Sequence, residues 1–314
     1  MTIKTNKPIH RFSHFAMGTE FEVVISGGEK NYAGQASQAV FREIDRLERL
    51  LTRFDDTSEV GMINRLSPGD ECSVGIEVLE CLEIAERIHA QTGGAFDVNV
   101  RSRTREKSLT GSTASSASTL PAGFPLKVKR SGKRFVVFYP EDNTDGIKDG
   151  IDIDLGGVGK GYALDKAFEI LRDWSIENAF LHAGTSTVLA SGYPDDMESG
   201  EKGWPIGVAS GWESSSPVNR VILKNRALSG SGKEIKGEHI IDPFTGEPAE
   251  GHDAAWVSHP VAAEADALST AFIVMEKDAV KDYCREHPGV WALLIRKNRP
   301  AVVINPEFLN PIGC

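Results

Sequence analysis

Residues 154–165 read DLGGVGKGYALD. The apolar run IDIDL that leads into them predicts a strand, and apolar side chains at helical spacing over residues 162–174 predict a helix. Glycines leave the backbone open to close approach, and the N-terminus of a helix attracts anions, so the turn with its lysine could face a phosphate. A tight strand-to-helix turn packed against a sheet fits the same residues equally well.

Two known phosphate-binding motifs do not match this turn. A dinucleotide-binding fingerprint needs G-x-G-x-x-G, and Tyr162 stands where its third glycine belongs. A P-loop needs G-x-x-x-x-G-K-[ST], and Asp154 and Gly161 stand at its first glycine and its hydroxyl position. The ligand of the turn therefore has to be inferred from the rest of the chain.

Strands and helices around the turn do not alternate strictly, which favours an α+β arrangement over a doubly wound sheet. The strand-like runs at 95–100 and 134–139 flank a Ser/Thr-rich segment and could belong to one sheet. The other strands are predicted at 20–25, 151–155, 179–182, 187–191, 206–209, 218–223 and 290–295. Helices are predicted at 35–51, 75–91, 162–174, 263–276 and 278–286.

The Ser/Thr-rich segment SLTGSTASSASTLPAG (108–123) has few large apolar side chains and predicts a flexible surface loop over about 104–124. We interpret it as an insertion within one domain rather than as a linker between two.

Composition limits the class of protein. The chain has 314 residues, 40% of them hydrophobic, and a formal net charge of −10, which indicates a globular protein and argues against a nucleic-acid surface. The N-terminus lacks an apolar segment of signal-peptide length and the chain has no run long enough to span a membrane, so we expect a cytoplasmic protein. The four cysteines are scattered, which predicts reduced thiols.

Six short stretches resemble, in order along the chain, the ApbE family of FAD:protein FMN transferases. The resemblance extends from about Met17 to Met275. The stretches are MGTEFEVVI (17–25), LTRFDDTSEVGMIN (51–64), TGGAFDVNV (92–100), DLGGVGKGYALDKA (154–167), HIIDPFTGEP (239–248) and EADALSTAFIVM (264–275).

The resemblance implies a single compact domain of mixed sheets with packed helices, related to the T-fold and covering residues 17–305. Residues 1–16 are then an N-terminal extension and residues 306–314 a tail. It also implies a Mg²⁺-dependent enzyme that binds FAD, transfers FMN to a Ser or Thr hydroxyl of an acceptor protein and releases AMP. Family acceptors carry a short motif of the type Asp-Gly/Ala-x-Ser/Thr-Gly-Ala-Thr.

A metal site is predicted near EADALSTAF. If 263–276 is helical, Asp266 and Thr270 share a face and Ser269 lies beside them. Carboxylate and hydroxyl oxygens suit Mg²⁺, which completes its shell with water and phosphate. The resemblance implies that Asp266, Thr270 and the Gly157 carbonyl are ligands, with Ser269 where some members have a second carboxylate. Without the resemblance, these residues are better explained by an Asp266 that caps or solvates a helix and a Thr270 bonded to its own turn.

For FAD, the resemblance implies contacts from eight residues. Lys160 is suited to a phosphate as a compact charge, and Phe54 stands where many members have Tyr, so that ring stacking is kept. The set is Met17, Phe54, Ala95, Phe96, Asp97, Asp154, Lys160 and Thr245.

His239 is the predicted catalytic residue. An imidazole has a pKa near neutrality and can accept the proton of a hydroxyl, and the resemblance implies that the histidine of the H-I-[IL]-D-P motif is functionally important.

The chain departs from the family after residue 100, at 182–192 and at 227–234, where Gly-Gly-Asp and Thr-Ser-Gly are common. Two alternatives therefore remain open: a relative that binds FAD or hydrolyses it to FMN and AMP without protein transfer, and a metal-binding or scaffolding protein that keeps only the fold.

Overall fold

The computed structural model describes residues 8–100, 124–131, 134–141, 151–194, 202–208, 220–233, 240–306 and 310–311. The predicted catalytic residue His239 and nearly all of the predicted loop at 104–124 lie outside these residues.

The described residues contain fourteen strands and six α-helices. The strands are β1 Ile9–Ala16, β2 Thr19–Ser26, β3 Glu71–Val74, β4 Lys127–Ser131, β5 Arg134–Phe138, β6 Ala179–Ala183, β7 Thr187–Ser191, β8 Trp204–Gly207, β9 Arg220–Leu223, β10 Arg226–Gly232, β11 Ala254–His259, β12 Trp291–Ile295, β13 Val302–Ile304 and β14 Asn310–Pro311. The helices are α1 Lys30–Leu51, α2 Glu59–Ile63, α3 Ile76–Gln91, α4 Gly159–Asp173, α5 Ala262–Val274 and α6 Lys277–Glu286.

A large antiparallel sheet organises the fold, with strand order β1-β2-β6-β7-β10-β11-β12-β13. Its side chains alternate between two apolar clusters, as the period of a strand requires. In β2, Phe21, Val23 and Ile25 lie in the cluster shared with the helices. Val24 lies in a second cluster with residues of β8 and β9, which belong to a small sheet of order β14-β9-β8. The large sheet is thus covered on both faces.

Helix α5 lies at the centre of the helical layer, where it contacts β7, β10 and β11 as well as α3 and α4. Ten of its thirteen residues are buried, Asp266 and Ser269 among them, as expected for a helix packed between a sheet and two other helices. Its first turn is capped from α4, because the carboxylate of Asp165 accepts hydrogen bonds from the N–H groups of Ala262 and Ala263 at 2.9 Å each. At Gly161 of α4, a Cβ would lie 2.2 Å from the Ala262 carbonyl, so only glycine allows this approach.

The predicted α+β class is confirmed, and the predicted helices are present with changed limits. Helix α1 begins at Lys30 rather than at 35, and α4 begins at Gly159 rather than at 162. Residues 95–100 and 151–155, both predicted as strands, are in no sheet, so that prediction is wrong.

Side-chain hydrogen bonds explain this difference. Backbone N–H groups of Asp152 and Ile153 donate to the side-chain oxygens of Asn99 and Asn64, at 2.8 and 2.6 Å. One backbone bond, from Asp154 N to the carbonyl of Val98 at 2.8 Å, joins the two segments. The run at 134–139 does form a strand, β5, in a separate sheet of order β3-β5-β4. The two flanking runs therefore do not share a sheet.

Part of the predicted N-terminal extension belongs to the large sheet. Residues 9–16 form β1, which pairs with β2 over its full length, from Ile9 opposite Ser26 to Ala16 opposite Thr19. Residues 17 and 18 make the hairpin turn between the two strands.

Three cysteines lie within the described residues, and Cys72, Cys81 and Cys284 are all free thiols, as expected. Burial raises the pKa of Cys284 to about 12, which disfavours the reactive thiolate form. Across the described ranges, every helix is too short or too polar to cross a membrane.

Candidate functional site

The glycine turn is a short 3-10 turn, Leu155–Gly157, that leads directly into α4. The Asp154 carboxylate accepts a hydrogen bond from Gly156 N at 2.9 Å and so fixes the start of the turn. A Cβ on Gly157 would lie 3.1 Å from Cε2 of Phe96 and 3.6 Å from Oγ1 of Thr270. The turn therefore brings together three segments that are distant in the sequence, around residues 96, 157 and 270.

Asp266 is a buried carboxylate, 4% exposed, at the point where α4, α5 and the large sheet meet. Its Oδ1 accepts hydrogen bonds from the hydroxyls of Thr187 and Ser229, both at 3.2 Å. Its Oδ2 accepts one from Gly161 N at 3.2 Å and lies 3.5 Å from Nζ of Lys160. A buried charge needs such partners, so the carboxylate does not serve as a solvated helix cap.

Lys160 is in the first turn of α4, where the helix dipole disfavours a positive charge. Its ammonium group nevertheless turns inward, donates to the Gly156 carbonyl at 2.6 Å and forms the ion pair with Asp266. The side chain is only 17% exposed, so this is not an ordinary surface lysine.

Hydroxyl groups continue the site along α5 and β10. Ser269 donates to the Asp266 carbonyl at 2.9 Å, and Thr270 makes a longer bond of 3.4 Å to the same carbonyl. The hydroxyl of Ser231 lies 2.9 Å from that of Ser269 and 3.3 Å from that of Thr270. The bond of Thr270 to its own helical turn is therefore present, alongside a second contact that joins Thr270 to the sheet.

Arg53 connects the exposed ring of Phe54 to the glycine turn. It donates to Asp152 at 2.8 Å, and its Nε lies 4.0 Å from the Asp154 carboxylate. The ring of Phe54 is 87% exposed, with the guanidinium carbon of Arg53 5.1 Å from its centroid. A large apolar ring held in water next to the turn is available for stacking.

The segment at 95–97 is buried, and its Phe96 ring reaches the glycine turn. Ala95 and Phe96 are buried, and the carbonyl of Phe96 accepts a hydrogen bond from the ring of His89 at 2.8 Å. Asp97 is also buried, and its carboxylate accepts a bond from Asn99 N at 2.8 Å. The Phe96 ring is the member of this segment that meets the glycine turn.

Met17 and Thr245 belong to turns with their own local bonding. Met17 and Gly18 have φ angles of 49° and 70°, as a two-residue type I′ hairpin requires, and a methionine in this region is uncommon. Met17 N donates to a Glu48 carboxylate oxygen of α1 at 2.7 Å. The Thr245 hydroxyl accepts from Glu247 N at 3.2 Å, in the loop that directly follows His239.

The structure thus brings Phe96 and Thr270 next to Gly157 of the glycine turn, whose start is fixed by Asp154. Lys160 links this turn to Asp266, whose backbone carbonyl accepts bonds from Ser269 and Thr270. Sequence reasoning missed four of the contributors, Arg53, Thr187, Ser229 and Ser231. The only signal for the two serines was their spacing, because residues two apart on a strand face the same side.

Comparison with known proteins agrees with this picture. The sequence model of the ApbE family matches residues 17–294. The chain belongs to the ApbE family. Among its relatives, a FAD:protein FMN transferase of Klebsiella pneumoniae (strain 342) is 24% identical over 315 residues, 93% of this chain and 86% of that protein. The FAD:protein FMN transferase of Escherichia coli (strain K12) is also 24% identical, with the same coverage.

Solved ApbE structures have the same fold. The ApbE protein of Thermotoga maritima has a TM-score of 0.75 and 26% identity, over 96% of this chain and 98% of that chain. The flavin transferase ApbE from Vibrio cholerae has a TM-score of 0.73 at 19% identity, over 96% and 99%. The expected family is confirmed, and so is the expectation of a transferase.

Proposed function

We propose that this ApbE protein is a Mg²⁺-dependent FAD:protein FMN transferase, which moves FMN from FAD to a Ser or Thr hydroxyl of an acceptor protein and releases AMP. The observation that carries this proposal is the buried Asp266 carboxylate, which forms an ion pair with Lys160, whose ammonium also donates to the Gly156 carbonyl of the glycine turn. The names of its relatives support the choice of FAD and of a protein acceptor.

The oxygen atoms around Asp266 fit a magnesium ion. The described residues contain no cluster of three or more His, Cys, Asp or Glu side chains, which argues against a zinc-type site among them. One carboxylate with hydroxyls and carbonyls suits Mg²⁺, which keeps water and takes phosphate oxygens. Asp266, Thr270 and the Gly157 carbonyl would hold the ion, with Ser269 beside them. Bound there, it would neutralise charge on the pyrophosphate.

The remaining residues are proposed to contact different parts of FAD. The glycine turn and Lys160 offer N–H groups and a positive charge to the pyrophosphate at the N-terminus of α4. The Phe54 ring offers a stacking surface to an aromatic part of FAD. Met17, Ala95, Phe96, Asp97, Asp154 and Thr245 are proposed to complete the binding surface.

The reaction requires one bond to form and one to break. The acceptor hydroxyl attacks the phosphorus of the FMN half, its proton passes to His239, and the bond from that phosphorus to the AMP oxygen breaks. The products are FMN joined to the acceptor by a phosphoester, and AMP. Lys160 remains next to the phosphates and balances their charge.

Incubation with FAD, Mg²⁺ and a peptide carrying the family acceptor motif tests the proposal, with intact mass measured for an added FMN. Asp266→Asn should lower the rate about a thousandfold or more, because a metal supplies several kcal/mol of charge stabilisation. His239→Ala should lower it by roughly 10²–10⁴-fold, the usual contribution of a general base. AMP release without peptide modification would support the FAD-hydrolysing alternative, and the absence of FAD binding would support a fold-only protein.

A further inference from the structure

Two hydroxyls of the large sheet hold one oxygen of Asp266. Thr187 on β7 and Ser229 on β10 are directly opposite each other in the antiparallel pair, and both are fully buried. Each lies 3.2 Å from Oδ1 of Asp266, and their own oxygens are 3.0 Å apart. We infer that Thr187 and Ser229 are positioning residues, which fix Oδ1 so that Oδ2 is presented to the first turn of α4. This inference rests on the proposed function.

The number of hydroxyl protons on Thr187 and Ser229 supports their role in orienting Asp266. Each hydroxyl has one proton to donate, so the contact between Thr187 and Ser229 becomes a hydrogen bond only when one of them turns away from Asp266. An ionised carboxylate only accepts, and bonds to charged groups are the stronger ones. Oδ1 is therefore the strongest acceptor within reach of both hydroxyls, although Ser229 also lies 3.3 Å from the Ser186 carbonyl and 3.4 Å from the Ser269 hydroxyl.

The other oxygen of Asp266 has different neighbours. Oδ2 lies 3.2 Å from Gly161 N and 3.5 Å from Nζ of Lys160, which also bonds to the Gly156 carbonyl. This side of the carboxylate faces the first turn of α4 and the segment that we propose for the pyrophosphate. The two oxygens of Asp266 thus have different functions: Oδ1 faces the hydroxyls of the sheet, and Oδ2 faces the first turn of α4 and the proposed pyrophosphate site.

The sheet gives these hydroxyls a rigid base. β7 and β10 are interior strands of the large sheet, paired on both sides, and α5 packs directly on both of them. Partners of a metal-binding carboxylate orient the ligand, and their loss typically weakens metal binding by roughly 10–100-fold. We expect a loss of that size here, without a loss of FAD affinity.

The test uses two substitutions at one position that separate the hydroxyl from its packing. Thr187→Val keeps the branched shape and removes the hydroxyl, whereas Thr187→Ser keeps the hydroxyl and removes a methyl. Ser229→Ala removes a single oxygen and provides a second arm if the valine variant does not fold. Ser258→Ala is the matched control, since Ser258 is also fully buried in the sheet but bonds to the Ala227 carbonyl and to Arg226 rather than to Asp266.

Mn²⁺ binding to the FAD-saturated protein is measured by electron paramagnetic resonance of the free ion, with a protein-free FAD titration subtracted. Thr187→Val and Ser229→Ala should weaken binding by roughly 10–100-fold, and Thr187→Ser and Ser258→Ala should bind as the unaltered protein does. FAD affinity without metal should be equal in all variants. Loss in Thr187→Ser with retention in Thr187→Val would show a packing role and overturn the inference, as would unchanged binding in both Thr187→Val and Ser229→Ala. An unaltered protein that binds no Mn²⁺ would overturn the proposed metal site as well.

Discussion

The ammonium group of Lys160 lies 3.5 Å from Oδ2 of Asp266, and it donates to the Gly156 carbonyl at 2.6 Å. The chain therefore places a positive charge of its own next to the buried carboxylate that we propose as the metal ligand. A divalent cation on Oδ2 would compete with this ammonium for the same oxygen, because the two charges repel at short range.

Reactivity of Lys160 toward an amine-labelling reagent should consequently rise when Mg²⁺ is added to the FAD-free protein. The matched control is Lys166 of the same helix, which is 24% exposed and paired with Glu80 and Glu169. Mass spectrometry of labelled peptides reads both residues in one sample. Equal labelling of Lys160 with and without Mg²⁺ would show that the cation does not displace it.

Substitutions at two glycines of the turn should have unequal effects. A Cβ on Gly157 would be 3.1 Å from the Phe96 ring, closer than an ordinary contact, whereas a Cβ on Gly159 would meet only Leu51 Cδ1 at 3.6 Å. Gly157→Val should therefore lower both FAD affinity and transfer, and Gly159→Val should change them much less. Titration of FAD fluorescence with each variant checks this, and a folded Gly157→Val protein with normal affinity would mean that the turn does not contact FAD.

Removal of the exposed ring of Phe54 should weaken FAD binding with little change in folding stability. The ring is 87% exposed, so its loss removes almost no buried area, while a lost aromatic stack costs about 0.5–1.5 kcal/mol of binding free energy. Phe15→Ala is the control, since that ring on β1 is also exposed, at 71%. Thermal unfolding and FAD titration of both variants separate the two effects. Equal FAD affinity in Phe54→Ala and Phe15→Ala would exclude stacking on Phe54.

The stability of the protein should depend on pH through Asp165. Burial raises the pKa of this carboxyl from 3.8 to about 6, against the opposing effect of the N–H groups of Ala262 and Ala263. Because the folded-state pKa is the higher one, the contribution of Asp165 to stability is complete below about pH 4 and is lost as the pH rises through 6.

The free energy of unfolding of the unaltered protein, less that of Asp165→Asn, should accordingly fall by up to about 3 kcal/mol between pH 4 and 7. Denaturant titrations at several pH values measure it. The histidines His252 and His259, whose pKa values burial lowers, titrate equally in both proteins and cancel in the difference. A difference that is constant with pH would contradict the raised pKa.

The elements that sequence reasoning located are those with dense or regularly spaced apolar side chains, such as α5, the fully buried strand at 291–295 and the alternating strand at 179–183. The start of α1 was missed because residues 30–34 (KNYAG) carry no large aliphatic side chain, although Ala33 is buried. IDIDL looked like a strand because its apolar residues alternate. Its backbone instead bonds to the side chains of Asn64 and Asn99 and, once, to the Val98 carbonyl, and only the folded chain brings these groups to it.

The candidate site was also predictable only in part. Asp266 and Thr270 are four residues apart on a helix, so their shared face followed from the spacing alone. The meeting of Gly157 with Thr270 was inferred from the resemblance, and the structure brings them together. Thr187 and Ser229 were not predictable, since hydroxyls are ordinary in strands. Only the register of β7 against β10, with α5 across both, brings them to Asp266.

Helices α4 and α5 each place a carboxylate at the first turn of the other helix. Asp165 of α4 accepts two N–H groups from the first turn of α5, and Asp266 of α5 accepts the N–H of Gly161 in the first turn of α4. This reciprocal bonding, at a crossing that leaves no room for a Cβ on Gly161, makes the two helices one mechanical unit. Because Lys160 lies on α4 and Asp266 on α5, these bonds prevent the two residues from separating by a sliding of one helix past the other. Among the described residues, a closing movement around a ligand would then have to come from side-chain rotation or from segments outside these two helices.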